Sequence, residues 1–329
     1  NLLAADIVVV DEASMVDLAL MSKLLQAIEP DTRLLIVGDK DQLASVEAGS
    51  VLGDICNRQV IHGFSDGFLE QIEAISGIST ENFARMPDTD SALQDCICLL
   101  QTTYRFSSHS GIGGLSRAIN HGEIEKCLAL LKKPSETAVE WVAINTPNDL
   151  NRQLAEVIIA GYRKYLTIRD PVLAMDAFSG FKILCALKIG PYGVKSVNLL
   201  AEQILGREKL IGDHPGGSHP WYRGRPVMIT RNDYTLGLYN GDIGITLPDP
   251  GASDNQLHVY FQDASGGARR FPPHRLPEHE TVYAMTVHKS QGSEFDHVIL
   301  ILPDKDYPLM TRELIYTCLL YTSDAADED

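Results

Sequence analysis

TVHKSQGSEF, Thr286 to Phe295, is the stretch on which the reading of this chain turns. An apolar-leaning run, Val282 to Met285, precedes it and a second, Val298 to Leu302, follows it. Runs of this length and composition predict two strands of a buried sheet with polar chemistry between them. Gly292 lets a backbone approach a ligand closely, and Lys289 supplies a mobile positive charge. His288, Ser290, Gln291 and Glu294 crowd hydrogen-bonding groups onto the same turn. A core has no use for that density of polar groups. A site that meets both a nucleic-acid strand and a nucleotide has.

A second cluster points the same way. Ile7 to Val10 is a continuous apolar, β-branched run, which predicts a strand buried on both faces. It ends in Asp11-Glu12-Ala13-Ser14. Carboxylates at the carboxyl end of a parallel strand stand where open α/β sheets bind their ligands. Asp11 there would hold Mg²⁺, directly or through water, and Glu12 would polarise an attacking water. An amphipathic helix follows, with Leu18, Met21, Leu24, Leu25 and Ile28 on one face and Pro30 helping to end it. Leu34 to Val37 predicts another buried strand, running into Gly38-Asp39-Lys40-Asp41-Gln42. Together these form a right-handed strand–helix–strand crossover with polar residues at both strand ends.

Each piece has a plain reading when taken alone. Asp11 and Glu12 can simply open a helix, Gly38-Asp39 can be an ordinary turn, and Lys289 a solvated surface lysine. Order and spacing along one chain carry the specificity. DEAS, GDKDQLASVEAG (Gly38 to Gly49), LLQTTYRF (Leu99 to Phe106) and TVHKSQGSEFDHV resemble successive motifs of superfamily 1 DNA helicases, specifically of the RecD type. SGIGGLSRAIN (Ser110 to Asn120), GRPVMITRNDYTLGLYNGDIGI (Gly224 to Ile245) and LPEHETVYAMTVHKSQG (Leu276 to Gly292) carry the same likeness, which is weak between Lys132 and Lys182.

The resemblance implies an α/β fold of two RecA-like P-loop NTPase motor lobes, with ATP and Mg²⁺ bound between them. It gives Asp11 the metal and Glu12 the water. Gln42 would sense the γ-phosphate and Arg105 would reach across to it as an arginine finger; the plain reading of Arg105 is a helix-start arginine paired with a carboxylate. Gly292 and Glu294 would touch the nucleotide edge of the second lobe, with Thr286, His288 and Lys289 nearer the DNA. The implied activity is 5′ to 3′ translocation on single-stranded DNA, loaded at duplex ends, within a recombination-repair helicase–nuclease. Its partners would be the beta and gamma subunits of exodeoxyribonuclease V, in the cytoplasm. A free-standing helicase of the same branch and a catalytically inactive DNA-binding scaffold are the other classes.

Two departures from the family pattern bear on the expectation. The chain begins at Asn1, just before the Asp11 strand, and holds no G-x-x-x-x-G-K-S/T phosphate loop. Glu313-Leu-Ile-Tyr-Thr317 opens like the last helicase motif, expected as a buried strand, and then gives way to Cys318 through Asp329 with no arginine. That tail reads as foreign to the fold, with a genuine disordered acidic tail as its plain reading. The first lobe is therefore expected to be incomplete, and the chain alone is expected not to hydrolyse ATP.

Composition sets bounds. At 329 residues and 44% hydrophobic, the chain can bury two cores. It has no apolar run long enough to span a bilayer. Its six cysteines are scattered without a C-x-x-C pair, so neither a zinc site nor a disulfide framework is indicated. The net charge of −16 is unusual for a DNA-binding chain, and it stays acidic without Asp324, Asp327, Glu328 and Asp329. A motor needs only a narrow channel with a few local cations. An acidic exterior would suit basic partner surfaces or solubility.

The predicted organisation is a distal half of a first lobe over 1–103 and a second lobe over 104–317, with 318–329 as tail. Gly63 to Asp95 reads as a helical excursion. Ile119 to Leu131 and Leu150 to Leu166 read as helices, Phe181 to Leu187 as a strand, and a further helix starts at Val197. His214 to His219 reads as a surface loop rather than a metal site. Short strands over Val227 to Thr230, Gly244 to Leu247 and Leu257 to Phe261, with a hairpin-type turn at Asn240-Gly241, resemble a small SH3-like β-barrel inserted over about 225–278. Arg231 and Asn232 there either touch DNA or build a structural turn.

Overall fold

The computed structural model describes residues 2–44, 51–57, 63–87, 93–100, 111–133, 138–212, 220–249, 256–263 and 265–321. Arg105, the His214–His219 loop and the tail from Thr322 onward lie outside the described residues. The chain divides into two compact units, Asn1–Ser108 and His109–Asp329.

In the first unit, β1 (Ile7–Val10), α1 (Leu18–Ala27) and β2 (Arg33–Ile36) form the expected crossover. The strands pair in parallel with Ile7 opposite Arg33 and Val10 opposite Ile36. Asp17 caps α1, its carboxylate accepting the Leu20 amide at 2.7 Å. Two further helices follow, α2 (Val51–Asn57) and α3 (Asp66–Ser76), the latter within the expected helical excursion. The expectation of strands buried on both faces fails here. Ile7 is 61% exposed, Val9 58% and Leu35 53%, because the described part of this sheet is two strands wide and covered on one face. On α1, Met21 is buried while Leu18 and Leu25 stay exposed, so the apolar stripe is broader than its contact.

The second unit opens with α4 (Gly111–Asn120) and α5 (Ile124–Leu131). The sequence suggested one helix from Ile119; Gly122, at φ +69°, breaks it into two. Helix α6 (Pro147–Thr167) starts on a Thr146 cap with proline in its first turn, and α7 (Pro171–Ser179) starts on Asp170. Strand β3 (Phe181–Cys185) and α8 (Val194–Arg207) complete the helical half, α8 starting three residues before the expected Val197.

An antiparallel sheet comes next: β4 (Pro226–Ile229), β5 (Ile243–Pro248), β6 (Leu257–Gln262), β7 (Ala268–Phe271) and β8 (His279–Thr281), in the order β7-β6-β5-β4-β8. Sequence periodicity found β4, β5 and β6 and missed β7 and β8, which are richer in polar residues and less buried. One face holds the cluster Val227, Ile229, Leu238, Val259 and Phe261. Helix α7 packs on β5 and β6 as well as on β3.

The chain then returns to a parallel sheet through β9 (Ala284–Thr286) and β10 (His297–Ile301), ordered β10-β3-β9, and ends in α9 (Arg312–Leu320). Glu313 to Thr317, expected as a strand, is thus helical: Thr311 caps it, and Leu314, Thr317 and Cys318 at helical spacing are its buried face.

Because β3 is flanked by strands on both edges, all five of its residues are buried, including Lys182. The Lys182 Nζ sits 3.6 Å from the centroid of the Phe178 ring and has no hydrogen-bond partner among the described residues. Loss of hydration holds its pKa well below the usual lysine range. Unfolding therefore binds a proton, and stability should rise with pH until the free-lysine pKa is passed. Lys182→Met should raise stability at pH 7 by about 1–3 kcal/mol, less whatever the ring contact contributes, and should flatten the rise above pH 7. Urea midpoints at pH 7 and 9 test this; a destabilised Met variant would show that the amine has a partner that matters.

Candidate nucleotide and nucleic-acid sites

In the first unit the acid pair sits where β1 ends. Asp11 accepts the Glu12 amide on Oδ1 at 2.8 Å, and both residues are exposed. Glu12 adopts φ 50°, ψ 40°, a left-handed conformation that a side-chain-bearing residue avoids. Its side chain caps nothing. Glu12 stands at the N-cap position of the short 3-10 turn Ala13–Met15, while the cap of α1 is Asp17.

The loop after β2 is laced to this turn. The Val37 amide donates to Val10 O at 2.8 Å and the Ala13 amide donates to Val37 O at 3.0 Å. Gly38 makes the approach possible: a Cβ there would stand 3.0 Å from Ala13 N and 2.8 Å from Leu52 Cδ2. Beyond it, Asp39 Oδ1 accepts the Asp41 amide at 2.9 Å, Lys40 pairs with Asp41 at 2.8 Å, and Gln42 is half-buried with its amide on Asp39 O at 3.3 Å. Asp11, Glu12 and the Asp39–Gln42 loop thus share the carboxyl end of one parallel strand pair. Ser14, which the sequence reading passed over, is buried beside them with a hydroxyl that has no hydrogen-bond partner among the described residues. Asp11 supplies the hard oxygen a Mg²⁺ ion takes. No group of three or more candidate metal ligands occurs among the described residues, so a metal here would draw on ligands from nucleotide and water.

In the second unit, β9 delivers the polar turn. Thr286 is extended and precedes a 3-10 turn, Val287–Ser290, whose Val287 and Ser290 are buried. The Ser290 hydroxyl donates to Val287 O at 2.8 Å, tying the turn to itself. Gly292 has φ +77° with open space where a side chain would stand, and Glu294 is exposed. Burial lowers the pKa of His288, which favours the neutral imidazole.

Lys289 departs from expectation. Rather than moving freely, its Nζ pairs with Glu280 Oε1 on β8 at 2.7 Å, both side chains about one-third exposed. The turn's cation is therefore tethered to the antiparallel sheet. Arg231 lies 3.8 Å from Glu278, both largely exposed. Asn232 Oδ1 accepts the Asn240 amide at 2.8 Å, so of its two readings the structural turn is present. Gly241, with φ +100°, completes the expected turn at Asn240-Gly241.

The support beneath the polar turn was invisible in the sequence. The Asn198 side chain on α8 accepts the Ala284 amide at 3.0 Å and donates to Ala284 O at 2.9 Å and to Val194 O at 3.0 Å. It occupies the open edge of β9 as a neighbouring strand would. Tyr162 on α6 donates to Tyr283 O. The Tyr222 hydroxyl donates to Glu202 at 2.7 Å and meets Tyr283 at 3.3 Å. Burial pushes all these phenols above their usual pKa, which keeps them neutral donors. A lone Asn at an i position of an amphipathic helix carries no signal that it will pair with a strand 86 residues away.

Each of the two units holds a stretch that matches a known protein family. Residues 1–64 match the model of the AAA domain, and residues 281–319 match the UvrD-like helicase C-terminal domain. The chain is 34% identical over 337 residues to the RecBCD enzyme subunit RecD of Haemophilus influenzae, covering 96% of this chain and 49% of that one. It is 38% identical over 322 residues to the same subunit of Mycolicibacterium smegmatis, covering 97% and 49%. It is 27% identical over 320 residues to the ATP-dependent RecD2 DNA helicase of Deinococcus radiodurans, covering 97% and 35%. Over nearly its whole length the chain is similar to RecD-type helicases. It spans about half the length of these curated RecD relatives. No helix among the described residues is long and apolar enough to cross a membrane.

Replacing Asn198 with Ala should strip two backbone groups of β9 of their partners at a cost of about 2 kcal/mol or more. The Ala284 amide should then exchange its hydrogen much faster than in the parent, relative to the Ile183 and Leu184 amides of β3. Unchanged protection at Ala284 would show that the strand edge does not depend on this side chain.

Proposed function

We propose that this chain is the motor part of a longer ATP-dependent DNA helicase that translocates 5′ to 3′ on single-stranded DNA, as the alpha subunit of an exodeoxyribonuclease V. On this reading ATP and Mg²⁺ are its cofactors. Single-stranded DNA and duplex ends are its substrates, the beta and gamma subunits its partners, and the cytoplasm its place of action. The observation that carries the reading is the strained, exposed Asp11–Glu12 turn held against the Asp39–Gln42 loop at one sheet end. An acid kept in a left-handed conformation without a capping duty is positioned for something outside the fold. The antiparallel sheet over β4–β8 is read as the SH3-like insertion of this helicase branch.

In the chemistry so proposed, Mg²⁺ would neutralise developing charge on the transferred phosphoryl group. Asp11 holds that ion. Glu12 accepts a hydrogen bond from the attacking water and orients it. Gln42, on the loop laced to the same turn, reports the γ-phosphate. Arg105 stabilises the transition-state charge, and Gly292 with Glu294 contacts the nucleotide from the second lobe. Thr286, His288, Lys289, Arg231 and Asn232 form the DNA side. The 27% identity to a RecD2 helicase keeps open a helicase that works without nuclease partners; co-purification of the full-length protein with its neighbours separates the two.

In the full-length protein, Glu12→Gln should leave ATP binding intact and reduce DNA-stimulated hydrolysis by roughly 10²-fold or more, since water activation is lost while the metal ligand stays. Near-normal turnover would remove Glu12 from the reaction. The 329-residue chain alone should show no hydrolysis that depends on Glu12.

The Lys289–Glu280 pair gives an independent test on the DNA side. A phosphate must compete with the Glu280 carboxylate for the same ammonium group. Lys289→Ala should weaken binding to single strands of any sequence and lower the salt slope by about one unit or less. Glu280→Gln should do the opposite and tighten binding. Identical salt titrations for all three proteins would place Lys289 outside the DNA path.

A further inference from the structure

The loop between β4 and β5 holds two tyrosines in a place where folding has no use for them. Tyr234 is 79% exposed and Tyr239 48% exposed, their ring centroids 6.0 Å apart in an edge-to-face arrangement. An aromatic ring left in water forgoes its hydrophobic gain, so a loop that presents two together is built around something other than its own stability. Neighbours of the pair are polar, Asn232, Asn240 and Arg231, rather than a continuous apolar patch of the kind that marks a protein interface.

The loop is also rigid by construction. Asp233 Oδ1 accepts the amides of Thr235 at 2.9 Å and Leu236 at 3.0 Å, and Asp233 and Leu238 form an antiparallel bridge. Leu238 is fully buried in the sheet's core with Leu236 packed against it. Arg269 donates to Leu236 O at 3.1 Å and to Gly237 O at 2.7 Å, and Asp242 accepts the Tyr239 amide at 2.8 Å. Both acids nearest the rings are therefore turned onto backbone amides, and Tyr234 and Tyr239 are held out on a fixed frame. Arg231, at the start of the same loop, is 75% exposed and in loose contact with Glu278 at 3.8 Å, a pair weak enough for a phosphate to displace.

We propose that Tyr234 and Tyr239 form a base-stacking platform for single-stranded DNA, with Arg231 on the adjoining phosphate. The proposal rests on the DNA-motor reading above and deepens it. Stacking on aromatic faces is sequence-tolerant and needs no positive charge. That suits a chain of net charge −16, which as a whole repels a phosphate backbone. A phosphate-only contact would instead call for several cations around the loop.

The test is anisotropy with fluorescent oligo-dT and with an abasic strand of equal length, using the full 329-residue chain and its Tyr234→Ala, Tyr239→Ala and Tyr234→Phe variants. Each alanine variant should bind oligo-dT roughly 5- to 100-fold more weakly, with the salt slope unchanged. The abasic strand should bind the parent and the alanine variants alike, and Tyr234→Phe should match the parent on oligo-dT. Melting temperatures should agree among all four, because neither ring is packed in the core. Oligo-dT affinity unchanged in both alanine variants, with the parent binding well, overturns the platform and leaves the motor reading standing, as would be expected were the loop a protein-docking site. Equal losses on the abasic strand also overturn it. A parent chain that binds neither strand overturns both readings.

Discussion

Strand β3 is the constraint on which the second unit depends. Every one of its backbone groups lies away from water, so each must find a partner in a neighbouring strand. Those partners come from far along the chain: Ile183 pairs with Ala284, and Phe181 to Cys185 run parallel to His297 to Ile301. Parallel pairing demands long crossovers. The segment between α8 and β9 is therefore free to leave the parallel sheet and build its own antiparallel one. Its last strand, β8, brings the chain back to within two residues of β9. The polar turn that begins at Thr286 exists in its place because that detour closes.

The return is held tightly just where the chemistry begins. Tyr283 and Ala284 receive hydrogen bonds from α6 and α8, and Lys289 is paired back to β8. A displacement of the antiparallel sheet must pull on Glu280, and through it on the cation of the turn. In the first unit the corresponding device is the lacing of Val37, Ala13 and Val10, which brings two strand-end loops together through Gly38. Both arrangements place flexible polar side chains on backbone that cannot shift independently, which is how a fold pre-organises a site.

Strain and exposure are distributed accordingly. The left-handed Glu12 and the solvent-facing Tyr234 and Tyr239 each depart from what folding alone favours. Lys182 departs in another way, as an amine among aromatic rings in the most buried strand. The first three face solvent and fit a ligand-binding role; the fourth faces inward and weighs on stability alone. Exposure separates the two cases.

Much of this was legible in the sequence. Local periodicity and turn chemistry placed β1, α1 and β2 in order, along with α6, β3, the antiparallel strands β4, β5 and β6 and the Asn240-Gly241 turn, because those signals arise within a few residues. The order and spacing of motifs along the whole chain, rather than any local signal, singled out Asp11, Glu12, Gln42 and the Thr286–Glu294 turn as candidates. What the tertiary structure alone decided is which particular groups meet, some across 86 residues and some across only eight or nine. Glu280 restrains Lys289, Asn198 completes the edge of β9, Asn232 braces a turn, and the outer face of β1 stays in water. Glu313 to Thr317 coils into a helix because Leu314, Thr317 and Cys318 find a core to bury against. An apolar run records that a residue wants burial; whether a neighbour arrives to bury it, and which carboxylate turns toward a lysine, depends on how the strands and helices pack, and no local pattern records that.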